Sequence, residues 1–333
     1  MNKGSEVCLV LGSNSFAGAT IVNSLLNQGY RVLGVSRSNQ SNPTSLIYRN
    51  NQQIHNFEFS EININTSLNE LISICESYQP RIICDFAGQG MVAESWAQPA
   101  QWYQTNLVSK LKFLEYLKDK DWLTKYIRAS TPEVYGSNLE PVTENARLNP
   151  SSPYAVTHAS MDLTLLAYFK QYGFPVTIGR FSNFYGPGQQ MYRLIPRVIM
   201  SILSQKRMPL HGGGSSERSF LFSHDISNSY SGLILRGRSG EVYNFSGSDC
   251  FTIKRVVDLI ADKFNLALSD VVDFSPDRPG KDQKYLMTAE KAKNELGWEQ
   301  TFSLDLGISE TIRWTEEHFK QLEFLPSDYL HKP

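Results

Sequence analysis

The feature that most constrains this chain is the alternation, through its first half, of short apolar runs with longer amphipathic stretches. VCLVLG at 7–12 and RVLGVS at 31–36 are short and almost continuously apolar, as strands buried on both faces are. A helix over 16–28 separates them. A strand over 54–59, a helix over 67–77 and the run RIICDFAG at 81–88 follow, then a helix over 98–118, a strand over 125–130, a helix over 152–172 and a strand over 175–181. Strands separated by helices of this length predict a parallel sheet covered on both sides. The polar tract at 38–53 reads as a loop. From about 180 the pattern turns irregular and loop-rich, and a helix over 305–320 closes it. No internal repeat is visible.

The 333 residues (37.7 kDa) suffice for one large domain and a smaller one. A formal net charge of -1, with 20% charged residues and no long charge block, argues against bulk nucleic-acid binding. No apolar run approaches the length of a membrane span. MNKGSEVCLVLGSN leads straight into a strand and a glycine turn, which leaves no room for a signal peptide and predicts a cytoplasmic protein. Cys8, Cys75, Cys84 and Cys250 are far apart and lack metal-ligand spacing, so reduced thiols and no metal site are expected.

Gly12-Ser-Asn14-Ser15-Phe16-Ala-Gly18 follows the first strand and opens the first helix. Such a turn can present its N–H groups and a helix N-terminus to a pyrophosphate, with Gly12 for the tight turn and Gly18 for close helix–sheet packing. Ser15 stands at the middle position, where the dinucleotide fingerprint has glycine. The second strand ends in Ser36, Arg37 and Ser38, with no acidic residue to accept adenosine ribose hydroxyls. Arg37 could pair with the 2′-phosphate of NADP and the serines could bond it, which favours NADP over NAD. The strand KYIRAS runs into Thr131-Pro132-Glu133. An extended backbone there would point Thr131 and Glu133 to one side, into a cleft at the carboxyl end of the strand. In SSPYAVTHASMD, Ser151 and Ser152 are candidate helix caps and Pro153 suits the first turn. Tyr154 and His158 then stack one turn apart.

Together these segments resemble the extended short-chain dehydrogenase/reductases that modify nucleotide sugars. The resemblance spans nearly the whole chain. It includes Asp85-Phe-Ala87-Gly88-Gln89, Ser95 with Pro99, Asn106, Ser130-Thr131-Pro-Glu133-Val-Tyr-Gly136 and Arg180-Phe-Ser-Asn183-Phe-Tyr-Gly-Pro-Gly188. It continues through Leu194-Ile-Pro196, Gly212 to Arg218, His224-Asp225, Tyr243-Asn244, Asp277-Arg278-Pro-Gly280, Lys291 and Leu296-Gly-Trp298. It implies a Rossmann-type, doubly wound parallel sheet with a smaller mixed α/β C-terminal substrate-binding domain. The dinucleotide domain would span 1–179 plus about 222–246, and the substrate domain 180–221 and 247–333. Cofactor contacts would come from Gly12, Asn14, Ser15, Phe16, Gly18, Arg37, Ser38, Ala87, Gly88, Gln89, Asn106, Tyr154 and His158. A nucleotide-diphosphate sugar would meet Ser95, Thr131, Asn183, Leu194, Arg218 and Arg278, the arginines suiting its diphosphate. The long helices over 98–118 and 152–172 would pair in a homodimer.

Within the family, Thr131 with Glu133 looks most like the 4,6-dehydratases of dTDP-glucose or GDP-mannose. DRPGKDQKY favours the first branch and Arg37 the second, while Glu94 stands where the first branch carries a basic residue. The resemblance implies that Tyr154 takes the proton of the sugar 4-hydroxyl, Thr131 bonds the 4-oxygen, and Glu133 removes the C5 proton before water leaves C6. Pro132 replaces the aspartate that serves the dTDP-glucose branch as acid, so Glu133 would do both tasks. A 4-epimerase or 4-ketoreductase needs only Tyr154 and cofactor. A binding protein without turnover is a third reading, because His158 replaces the family's lysine. A phenol titrates near pH ~10, and lowering it by ~3 units takes ~4 kcal/mol, which an ammonium at ~4 Å could supply. A neutral imidazole supplies less. Weaker tyrosine activation, a steeper pH dependence or lost turnover is therefore expected.

Overall fold

The computed structural model describes residues 6–40, 42–275 and 284–332. Its centre is a seven-stranded sheet: β1 (Val7–Leu11), β2 (Arg31–Ser36), β3 (Phe57–Glu61), β4 (Ile82–Asp85), β5 (Lys125–Ser130), β6 (Val176–Phe181) and β7 (Glu241–Phe245). The spatial order is β3-β2-β1-β4-β5-β6-β7, and every pairing is parallel. The order reverses between β1 and β4, which opens a crevice at their carboxyl ends.

The helices are α1 (Phe16–Asn27), α2 (Leu68–Tyr78), α3 (Ser109–Leu117), α4 (Pro153–Tyr172) and α5 (Ser223–Arg236). Period-two alternation sends Cys8 and Val10 of β1 into a core shared with α1 and α5, and Leu9 and Leu11 into a second core shared with α2, α3 and α4. Both faces are thus buried, which is why β1 tolerates no polar residue. The start of α4 follows the sequence: the Ser152 hydroxyl accepts from the Ala155 amide, Pro153 opens the first turn, and Gly173 ends the helix at φ 68°. Ser151 is exposed and does not serve as the cap.

Beyond β6 the chain is more regular than its sequence suggests. Helices Leu194–Leu203, Ile253–Lys263 and Leu304–Glu317 pack with the parallel pair Met208–His211 and Val272–Ser275 around a third core. The helix α5 (SHDISNSYSGLILR) hides its apolar stripe among serines and asparagine, yet Ile226, Tyr230 and Leu233 are buried on one side. The 38–53 loop contains 3₁₀ turns at Pro43–Ser45 and Ile47–Asn50, anchored by buried Leu46 and Tyr48. A third turn at Ile54–Asn56 delays β3 to Phe57. Among the described residues, no helix is long and apolar enough to cross a membrane. Cys8, Cys75 and Cys84 are buried free thiols.

Gly12 sits at φ +79°, and a Cβ there would lie 2.9 Å from the Phe86 carbonyl carbon. Gly12→Ala is expected to cost about 1–3 kcal/mol, measured as a lower urea midpoint at unchanged slope.

Candidate active site

The crevice between β1 and β4 is lined by three backbone turns. Gly12 turns the chain after β1, its amide donating to the Val35 carbonyl at 2.7 Å. A Cβ on Gly18 would collide with the Gly12 carbonyl oxygen, so α1 approaches the turn as closely as backbone allows. Ser15 spends its hydroxyl on capping α1, accepting from the Gly18 amide at 3.0 Å. The next amides, of Phe16 and Ala17, lie in the first helical turn, where no intrahelical carbonyl can pair them. The Asn14 amide donates to Ser36 Oγ at 2.9 Å, and its Nδ2 to the Ser38 carbonyl at 2.7 Å. Asn14 and Ser38 thus join the first two turns. This glycine turn against a helix N-terminus fits a dinucleotide pyrophosphate.

The third turn, Ala87-Gly88-Gln89, is shaped from beneath. Asp85 Oδ1 accepts from the Ala87 amide at 3.1 Å. Asn106 Oδ1 accepts from the Gln89 amide at 2.7 Å, while its Nδ2 donates to the Gln89 carbonyl and to Thr157 Oγ1, both at 3.1 Å. Asn106 sits in a π-helical turn, Gln104–Val108, between Pro99–Tyr103 and α3. Fully buried and fully bonded, it clamps the loop rather than facing the crevice.

The C-terminal segment also enters the crevice, which no sequence signal foretold. The Lys332 carbonyl accepts from Arg37 Nη1 and Gln89 Nε2, each at 2.8 Å. His331 stacks on Trp102 with ring centroids 5.1 Å apart, and Tyr329 packs edge-on against Tyr192.

At the carboxyl end of β5 the backbone is extended only through Thr131. Pro132–Tyr135 forms a 3₁₀ turn, capped by Thr131 Oγ1 accepting from the Glu133 amide at 3.3 Å. The expected extended geometry is therefore replaced by a turn, as Pro132 at its first position favours. Thr131 and Glu133 nevertheless both face Tyr154: burial pushes the phenol up to about 12, the Glu133 carboxylate adds to the rise, and Thr131, Arg193 and Arg128 oppose it. Tyr154 is half-buried. Ser95 does not reach outward. Its hydroxyl donates to the Val92 carbonyl at 2.6 Å and accepts from the Tyr154 amide at 3.2 Å, which ties the short helix Val92–Ala97 to the start of α4.

His158 lies with its ring centroid 4.5 Å from that of Tyr154. Its surroundings depart from expectation. The groups that face it are cations, Arg128 and Lys110, and Arg128 Nη2 lies 3.1 Å from His158 Nδ1. Burial, then Arg128, then Lys110 hold the imidazole well below its ordinary value, so it is neutral at physiological pH. Sequence reasoning missed this layer, because buried charges are rare and β5 shows Arg128 only as one polar letter in KYIRAS.

On the substrate side, Arg218 lies 4.2 Å from the Tyr285 ring centroid, and the Tyr285 hydroxyl donates to Asn183 Oδ1 at 3.2 Å. Asn183, Arg218 and Tyr285 thus form one cluster. Leu194 opens a helix, with Arg193 just before it and near Gly90. Arg278 lies outside the described residues. No three His, Cys, Asp or Glu side chains among the described residues are grouped to hold a metal ion.

A family model described as GDP-mannose 4,6 dehydratase matches residues 9–311. The chain belongs to this family. A dTDP-glucose 4,6-dehydratase of Salmonella typhimurium is 30% identical, over 92% of this chain and 91% of that protein. A crystal structure of dTDP-glucose 4,6-dehydratase from Bacillus anthracis in complex with NAD is 30% identical with a TM-score of 0.84, covering 95% of this chain and 98% of that one. UDP-glucose 4-epimerase of Thermotoga maritima, solved with UDP-glucose, is 25% identical with a TM-score of 0.86, covering 94% and 99%. In this chain the residue one turn after Tyr154 is His158, with the buried side chains of Arg128 and Lys110 behind it.

The lowered His158 value has a sign that can be checked. Above pH ~6.5 the ring is neutral in both folded and unfolded states. Below it the unfolded chain binds a proton that the folded site refuses, so stability falls with pH. Relative to His158→Gln, the native protein is expected to lose roughly 1.4 kcal/mol more per pH unit below ~6.5, read from urea midpoints. Equal slopes would show the ring protonated in the folded protein.

Proposed function

We propose that this protein is an NDP-hexose 4,6-dehydratase working with a bound nicotinamide dinucleotide. What supports the reading is that Thr131 and Glu133 sit on one capped turn and both act on the Tyr154 phenol, Glu133 raising and Thr131 lowering it. When bound, the nicotinamide accepts a hydride and returns it. Tyr154 takes the proton of the sugar 4-hydroxyl, and the Thr131 hydroxyl bonds the 4-oxygen. Glu133 removes the C5 proton once C4 is a ketone and gives that proton to the departing C6 hydroxyl, because Pro132 carries none. The Asn183–Tyr285–Arg218 cluster receives the diphosphate. Arg37, at the end of β2 with no carboxylate beside it in sequence, favours NADP.

A 4-epimerase or 4-ketoreductase reading is favoured by one feature: Pro132 removes a separate acid. Glu133→Gln separates the two. With a panel of nucleotide hexoses, the native protein is expected to release a 4-keto-6-deoxy sugar. The variant should still reduce its bound dinucleotide with the same sugar while losing dehydration by about 10²–10⁴-fold. A variant as fast as the native protein would transfer the assignment to epimerisation or reduction. Tight binding without product at any pH would leave only the binding role.

We also infer a homodimer built on α4 and the Pro99–Leu117 region. Leu163 is 58% exposed on α4, and Tyr103 and Val108 are exposed on the neighbouring helix. An apolar row there is stabilised by a second copy. Leu163→Glu is expected to halve the mass seen by sedimentation without changing the circular dichroism spectrum. An unchanged mass would sink the assignment.

A further inference from the structure

The residue that replaces the family lysine cannot carry its charge, yet a charge lies directly behind it. Arg128 on β5 is almost fully enclosed, its side chain 2% exposed. It is held at both ends. Nη1 lies 3.4 Å from Asp85 Oδ2, and Nη2 lies 3.1 Å from His158 Nδ1. Lys110 meets the same carboxylate at 2.9 and 2.7 Å, and Tyr126 donates to it at 2.8 Å. One carboxylate therefore faces two buried cations, and the closer partner is Lys110. Burial and Arg128 push Lys110 down to about 7, so the permanent charge of this pair is that of Arg128, whose Nη2 reaches His158 on α4.

A guanidinium has five donors and no acceptor. His158 Nδ1 must therefore accept, and the proton of the neutral ring must sit on Nε2. Among the described residues His158 has no other hydrogen-bond partner, so that N–H is available to a ligand in the cleft. The Tyr154 ring lies beside this imidazole, and Arg128 favours the phenolate across it.

We propose that Arg128, acting through His158, is a positioning residue that supplies a fixed positive charge to this active site: it sets the Nε2–H tautomer and, with Arg193, favours ionisation of Tyr154. The resemblance gives a single lysine on the helix the roles of hydrogen-bond donor and fixed charge. Here they are divided between a neutral hydrogen-bond donor on α4 and a permanent cation on the strand beneath it. The other charged groups facing the pair are Glu133, which opposes phenolate formation, and Arg193 and Lys110, which add positive charge. The proposal rests on Tyr154 being the proton acceptor, but its test does not require turnover.

The test combines ¹⁵N-histidine NMR with ¹⁹F NMR of fluorotyrosine placed at position 154. In the native protein His158 is expected as the Nε2–H tautomer with no titration between about pH 5 and 8. Arg128→Gln keeps a donor and removes the charge; it should raise the phenol midpoint by about one to two pH units, the effect of a unit charge ~6–12 Å away at an effective dielectric of ~20. Arg128→Lys should restore the midpoint. With the sugar identified as substrate, Arg128→Gln should move the rising limb of kcat upward by the same amount with KM within about twofold. A phenol midpoint unchanged in folded Arg128→Gln would overturn the proposal. So would a native His158 that titrates near its ordinary value, a measurement that needs no variant. If no sugar is turned over, the dehydratase reading fails while the two NMR measurements still decide this one.

Discussion

The Asp85 carboxylate, at the end of β4, is the interaction on which the site depends. It is fully buried and engages Lys110 from α3, Tyr126 and Arg128 from β5, and the Ala87 amide of the crevice turn. Burial works to raise this carboxyl, but Lys110 and Arg128, with hydrogen bonds from Lys110 and Tyr126, hold it below the usual carboxylate range. Burial and Arg128 push Lys110 down against the pull of Asp85. A buried ion cluster adds little net stability against apolar packing, but removing one member leaves uncompensated charge at a cost of about 3–5 kcal/mol. Its contribution is geometric. One carboxylate fixes a helix, a strand and a cofactor turn relative to each other.

A second buried pair completes the floor. Asp162 of α4 accepts from Ser130 Oγ at 2.9 Å and from Arg180 Nε at 3.0 Å, and Arg180 Nη1 donates to the Tyr135 hydroxyl at 2.6 Å. That hydroxyl donates on to Asn244 Oδ1 at 2.9 Å. Ser130 precedes Thr131, and Tyr135 closes the turn that carries Glu133. The two catalytic candidates on this turn are therefore positioned from below by Asp162 and Arg180, while α4 carries Tyr154 and His158. Preorganisation of this kind matters because proton transfer needs donor and acceptor held within hydrogen-bond reach.

Much of this was legible in the sequence, for physical reasons. β1, β2 and β4 are buried on both faces and so write themselves as apolar runs. Helix caps write themselves as Ser152-Pro153. Tyr154, His158, Thr131 and Glu133 were identified as candidates from spacing and resemblance. The layer beneath them was not legible. Arg128, Lys110, Asp162 and Arg180 act by pairing across elements distant in sequence, and neither period nor local motif reports such pairing. The extended geometry expected at 131–133 failed because a proline at the first position of a capped turn outweighs the strand before it. Ser95 and Asn106 were read as ligand contacts, yet both spend their polar atoms on backbone or side chains that shape the site. The α5 stripe is hard to read because buried Ser223 and Ser229 interrupt Ile226, Tyr230 and Leu233.

His158 and Arg128 are best understood as one feature rather than a substitution and a neighbour. A lysine at 158 would bring an ammonium toward the guanidinium, two cations in a buried layer where Asp85 already holds Lys110 and Asp162 holds Arg180. Conversely, a histidine at 158 without Arg128 would be free to titrate and to change tautomer, and would leave Arg193 alone to favour the Tyr154 phenolate. Each residue therefore makes the other tolerable. Arg128 Nε has no partner in the described structure, a cost that buried donors seldom bear without function. The cost follows from aiming the two Nη groups at Asp85 and at His158 at once. It ties the histidine, which first looked like a departure from the chemistry, to the strand-borne cation that makes such a departure physically coherent.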